Sequence, residues 1–215
     1  MPHAISRLII PPIYRLWIRK VEGVENIPKD KAFIVASNHT SYFDDMLLPS
    51  IIMTKIDKQI HALVNSYYWK NPITGFFLSL WECIPAYVEN EEGAKKKNRK
   101  SIQKAVSYLK NNEIMMILPE GRRSRDGRLQ KGYTGIAKIA LKAKVPVLPC
   151  GAIGVNNILP KGKFFPRFAR CEVKIGKPMH FDKYYGKKLN NKILEEVTRS
   201  IMEEIAKLVG QDYNY

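Results

Sequence analysis

The chain is poor in cysteine, histidine and acid. Its 215 residues include only three cysteines, Cys83, Cys150 and Cys171, widely spaced in apolar stretches and with no C-x-x-C pair. That pattern argues against a disulfide framework or a cysteine-rich zinc site and predicts reduced thiols inside a core. The four histidines, His3, His39, His61 and His180, are scattered and no H-E-x-x-H occurs, so no protein-bound metal is expected. His61 and His180 read as structural. No G-x-G-x-x-G, Walker loop or G-x-S-x-G is present. Ordinary dinucleotide and NTP folds are thereby excluded, and Ser41 becomes a cap or hydrogen-bonding residue rather than a hydrolase nucleophile. No run approaches the ~18 apolar residues that cross a bilayer, and a signal peptide's basic start, apolar middle and cleavage site are missing. A place on the cytoplasmic side is expected.

Acid is scarce relative to base: 36 Lys and Arg face 20 Asp and Glu, a net charge of +16. Such a surface attracts nucleic acid, anionic lipid, phosphorylated substrates or acidic carrier proteins. Apolar residues at 45% and charged residues at 26% are ordinary for one folded globular domain. A nucleic-acid-binding reading draws on Tyr67, Tyr68, Trp69, Phe164 and Phe165 beside basic residues. No recognised binding motif accompanies them, which ranks nucleic acid below the other partners.

At the N-terminus, Ile5, Leu8, Ile9 and then Ile13, Leu16 and Trp17 repeat a helical spacing, interrupted by Pro11 and Pro12. Two short helical segments meeting at a kink are expected there. Arg7, Arg15, Arg19 and Lys20 accompany them. An apolar face with basic neighbours suits a segment lying in the lipid interface, so residues 1–20 read as a membrane-interface amphipathic segment and 21–215 as the main domain. A helix docked on the protein's own core is the competing reading.

Downstream, short β-rich runs alternate with helical periods, which predicts a single α/β domain with a mostly parallel or mixed sheet flanked by helices. Strands are expected at 32–37, 60–64, 83–87, 113–118, 147–153 and 171–175. Helices are expected through Met46 to Leu48, over 72–80 and 101–109, around Ile136 to Ala140, and over a terminal stripe of Leu194, Val197, Ile201, Ile205 and Leu208.

Two segments that follow strands carry chemistry. In Asn38-His39-Thr40-Ser41-Tyr42-Phe43-Asp44, a continuous helix would set His39 and Asp44 about 140° apart, whereas a turn folds them together. His39 would then accept a proton while Asp44 fixes its tautomer, although such a pair taken alone is more often structural. The second segment, Leu118-Pro119-Glu120-Gly121-Arg122-Arg123-Ser124, offers forked donors and approachable amides suited to a phosphate. Together these resemble the glycerolipid acyltransferase family that includes 1-acylglycerol-3-phosphate acyltransferases. His39 and Asp44 match its N-H-x-x-x-x-D motif, and Pro119, Glu120, Gly121, Arg123 and Ser124 match F-P-E-G-T-R-S. Residues 145–149, VPVLP, are similar to the later V-P-I-x-P strand, and the resemblance spans about 21–178.

Leu118 replaces the usual Phe and Arg122 the usual Thr. The arginine that the family's second motif uses to grip phosphate is missing from Ile84-Pro85-Ala86-Tyr87-Val88-Glu89, and Arg122, or Lys95, Lys96, Lys97 and Arg99, are candidates to replace it. The lysine run reads otherwise as a solvated helix start. The resemblance implies acyl transfer from acyl-CoA or acyl carrier protein to the hydroxyl of a lysophospholipid, with no bound cofactor, at an anionic membrane surface. His39 is the expected general base, Asp44 its orienting partner, and Glu120, Gly121, Arg122, Arg123 and Ser124 hold the acceptor's head. An inactive lipid-binding adaptor of the same fold is the alternative.

Overall fold

The alternating pattern folds as α/β. The computed structural model describes residues 2–88, 90–160, 163 and 165–215, with side chains from Ala4 onward. Met1, Glu89 and Phe164 of the sequence expectations lie outside the described residues, as does the side chain of His3. In chain order the elements are α1 (Pro2–Arg15), β1 (Ile18–Glu22), β2 (Ile34–Ser37), α2 (Asp44–Ile52), β3 (Ile60–Asn65), α3 (Pro72–Leu80) and β4 (Ile84–Ala86). There follow α4 (Ala94–Lys110), β5 (Ile114–Ile117), α5 (Gly135–Ala143), β6 (Val147–Ile153), α6 (Val155–Ile158), β7 (Cys171–Ile175) and α7 (Asn191–Val209).

The strands form one sheet in the order β1-β7-β6-β2-β5-β3-β4, parallel throughout except for β6 against β7. Central β2 is buried on both faces, as a parallel strand covered by two helical layers must be. Alternation along it divides the core. Ile34 and Ala36 join Ala105, Leu109, Ile136, Ile139, Ile201 and Ile205 under α4, α5 and α7. Phe33 and Val35 join Leu47, Leu48, Ile52, Val155 and Ile158 under α2 and α6. Each fully buried aliphatic side chain stabilises this sandwich by about 1.5–3 kcal/mol relative to exposure.

The crossover from β2 through α2 to β3 runs one way over the sheet, and that from β5 through α5 to β6 runs back the other way, with its helix on the opposite face. The loops leaving β2 and β5 therefore diverge from adjacent strand ends. A crevice at such a reversal is where open α/β sheets bind ligands.

The N-terminal expectation needs two corrections. Instead of two segments meeting at the prolines, α1 is one helix running through Pro11 and Pro12. Contacts along its length hold it: Ser6 Oγ accepts from Trp81 Nε1 at 3.0 Å, and Tyr14 and Trp17 lie against Phe43 with ring centroids 4.4 and 5.5 Å away. Residues 18–20 are not part of that segment either, because Ile18–Glu22 is β1, paired with β7. There Arg19 pairs with Glu172 and Lys20 with Glu22. Trp17 belongs to the inward face, with its indole N–H on the Arg167 carbonyl, whereas Ile5, Leu8, Ile9, Ile13 and Leu16 are exposed. Among the described residues no helix is long and apolar enough to cross a membrane.

Candidate active site

Parallel register brings the two motifs abreast. Ile34, Val35 and Ala36 pair with Met115, Met116 and Ile117, and the same offset carried past the strand ends puts His39 opposite Glu120. There the His39 backbone is held twice. Its N–H donates to Glu120 Oε1 at 2.8 Å, and its carbonyl accepts from the Ser124 N–H at 2.8 Å. On the other side, Asn38 continues the ladder with β6 through its amide: Nδ2 donates to the Ala152 carbonyl at 2.9 Å and Oδ1 accepts from the Ala152 N–H at 2.8 Å. A side chain thus replaces the pairing that the main chain loses where it turns.

The turn itself wraps around one carboxylate oxygen. Asp44 Oδ2 accepts from the Thr40 N–H at 2.6 Å and the Ser41 N–H at 2.7 Å, and lies 3.3 Å from His39 Nδ1. Asp44 is buried and His39 largely so. Ser41 acts as a tie: its hydroxyl donates to the Leu159 carbonyl and accepts from the Phe43 N–H. The neighbouring Asp45 is exposed. Desolvation by the surrounding protein still pushes its carboxyl from the ordinary 3.8 up to about 6, with Asp44 adding to the rise and Arg123 opposing it.

The expected head-group residues divide. Arg123 Cζ lies over the Tyr42 ring, 3.3 Å from its centroid, and one of the terminal nitrogens of Arg123 is buried with no hydrogen-bond partner. A buried, unpaired guanidinium donor is costly and suits an incoming anion. Gly121 has φ +64°, and a β-carbon there would come within 3.0 Å of the Tyr133 ring. Arg122 is exposed and engages Gln130 Oε1 through Nε at 2.6 Å. Glu120 and Ser124 are buried. Both Glu120 oxygens are taken, the second by the Gln130 N–H at 2.9 Å, and Ser124 Oγ donates to Asp126. Burial raises the Glu120 carboxyl above its usual range.

Lys95, Lys96, Lys97 and Arg99 extend the first turns of α4 into solvent, with Lys97 Nζ over the Tyr87 ring. This is the solvated helix start. Among the described residues no three His, Cys, Asp or Glu side chains converge as metal ligands. Sequence reasoning missed Tyr42, Asp45 and Tyr68, whose hydroxyl donates to Tyr42 Oη at 3.0 Å. The one available signal was Tyr42 itself, an aromatic side chain inside a polar turn.

The acyltransferase family profile matches residues 18–153, and the chain belongs to that family. Among its relatives, a 1-acyl-sn-glycerol-3-phosphate acyltransferase of Bacillus subtilis is 30% identical over 162 residues, covering 75% of this chain and 73% of that protein. A chloroplastic enzyme of the same name from Arabidopsis thaliana is 28% identical over 191 residues, 84% of this chain and 49% of the relative. The chain thus spans about half the length of the plant protein. The crystal structure of the 1-acyl-sn-glycerophosphate acyltransferase PlsC from Thermotoga maritima superposes with a TM-score of 0.69 at 23% identity, covering 99% of this chain and 83% of that one. The fold is therefore shared.

Proposed function

We propose that the protein transfers a fatty acyl group from a thioester, carried by CoA or acyl carrier protein, to the free hydroxyl of a lysophospholipid such as 1-acylglycerol-3-phosphate. The carrying observation is the placement of His39, held by its backbone between Glu120 and Ser124 with Nδ1 3.3 Å from Asp44. With Nδ1–H directed at Asp44, the lone pair of the neutral ring sits on Nε2, the nitrogen left to take the acceptor's proton. The acceptor oxygen attacks the thioester carbonyl, the tetrahedral intermediate collapses, and the thiolate departs with the proton that Nε2 holds. Asp44 stabilises the imidazolium formed on the way. No enzyme nucleophile is needed.

Arg123 receives the acceptor's phosphate on its unpaired nitrogen, and Arg122 and the Gly121 backbone stand beside it. Glu120 and Ser124 serve the head group indirectly, by locking the loop that carries Arg123. The exposed apolar face of α1 holds the protein on an anionic leaflet, where such an acceptor resides, on the cytoplasmic side.

The test is turnover of a lysolipid panel with both donor types, read by mass spectrometry, for the parent and His39→Ala. The substitution should lower kcat by about 10²–10⁴, the usual contribution of a general base, with an unchanged melting curve. A near-parental rate overturns the mechanism. Absence of turnover by the parent with every pair favours the inactive adaptor.

A further inference from the structure

We propose that α3 is a second lipid-docking element, seated on an anionic phospholipid bilayer beside α1, so that the membrane grips the protein at two helices. This rests on the reading of the protein as one that works at a bilayer. Residues 72–80, PITGFFLSL, contain no charge, and a helix that is apolar all round is normally enclosed. Here only Gly75 is buried. Ile73 is 69% exposed, Phe76 63%, Phe77 48% and Leu80 43%. The helix is nevertheless well made, with Asn71 accepting from the Ile73 and Thr74 N–H groups and Pro72 in the first turn. Gly75 lets it seat closely on Trp69, and a β-carbon there would stand 3.3 Å from the Trp69 backbone. A rigid, capped helix presenting two phenylalanines to water is built to be covered.

Continuity and charge say what covers it. Trp81 follows α3 directly, is within 6.3 Å of the Phe77 ring, and donates its indole N–H to Ser6 of α1. This contact joins the end of α3 to α1, the other helix with exposed apolar side chains. Lys70 stands over the Tyr67 ring at the opposite end of α3, a cation and an amphipathic aromatic suited to the headgroup level. A second copy would bring +16 against +16, whereas an anionic leaflet complements that charge. The turn ahead of α3 also reaches the catalytic loop, through Tyr68 to Tyr42. Lipid under α3 therefore lies near the Arg123 side of the site.

The experiment uses the full chain, as the parent, as Ile73→Glu with Phe76→Glu, as the milder Phe76→Ser, and as Leu8→Glu with Ile9→Glu in α1. Each is floated with phosphatidylcholine vesicles with and without phosphatidylglycerol, sized by sedimentation, melted, and assayed on a vesicle-borne and on a water-soluble short-chain acceptor. The α3 pair should weaken vesicle binding at least about tenfold, since a buried Phe alone contributes that much. Phe76→Ser should act in the same direction. Melting curves and rates on the soluble acceptor should match the parent, because these side chains already face water. Parental flotation of both α3 variants, with flotation lost only in the α1 pair, overturns this proposal and leaves the membrane reading standing. A parent that floats on neither vesicle overturns both. Equal loss of rate on the soluble acceptor would make α3 part of the substrate path, and a parental dimer that the α3 pair dissociates would make the cover a second copy; either overturns bilayer docking.

Discussion

At the scale of single residues, the site depends on carboxylates with different duties. Glu120 uses both oxygens as acceptors from backbone N–H groups of two loops. Glu120→Gln keeps the shape but turns an NH₂ toward one of those donors, so it should cost about 1–3 kcal/mol, the penalty of a buried unmet group. Chemical denaturation checks the stability, and kcat should fall with it because His39 loses its anchor. Asp45 has the opposite character. Its folded pKa of about 6 lies above the ordinary 3.8, so the protonated form is favoured in the folded chain and its contribution to stability is lost as pH rises from about 4 to about 6. Asp45→Asn should flatten that part of the stability profile, raising stability relative to the parent above pH 6. A profile of parental slope would assign the loss to other groups. The closeness of His39 and Asp44 was legible in the sequence because the turn between them is local. The duty of Glu120 was not, because it depends on a register between strands that no single segment encodes.

At the scale of elements, periodicity located those with a clear apolar pattern: α3, β6 and β7 have the expected bounds, and β2, β3, β4 and β5 differ by a residue or two. What escaped was β1, whose sequence IRKVE has the exposed, charged look of an edge strand and borrows its pattern from β7. The lysine run was legible as a solvated helix start, but not its continuity with the helix expected over 101–109. Its lysines show no apolar stripe, yet they continue a helix whose inward side is Ala94, Ser101 and Ala105. Helix α7 depends on its beginning. Asn190 Oδ1 accepts from the Ile193 N–H at 2.9 Å, and Asn190→Ala should cost about 1 kcal/mol. For a chain of this size that is a fall of about 2–4 °C in melting temperature, measurable by scanning calorimetry.

At the scale of the whole molecule, the two-faced core encloses two of the three thiols, Cys150 and Cys171, and leaves Cys83 half-buried outside it. Cys150 is buried among the residues under α2, and burial pushes its thiol far up; Cys83 and Cys171 are pushed up to about 11 by the same cause. All three are free. At neutral pH the native protein should leave Cys150 and Cys171 unlabelled by a thiol reagent and modify half-buried Cys83 slowly, with all three reacting in denaturant. Rapid native labelling of Cys150 would mean that the sheet opens at its centre.

The tie between His39 and Glu120 spans 81 residues, and this sets a timetable for synthesis. At roughly 5–20 residues per second, the ribosome releases the histidine about 4–16 s before the glutamate that holds it. During that interval the nascent chain carries Asp44 and the turn but lacks β5, so the loop has nothing to dock on. The arrangement around His39 thus comes into being late and in one step, when the second loop arrives, and a chain stalled before that point holds the first motif without its anchor.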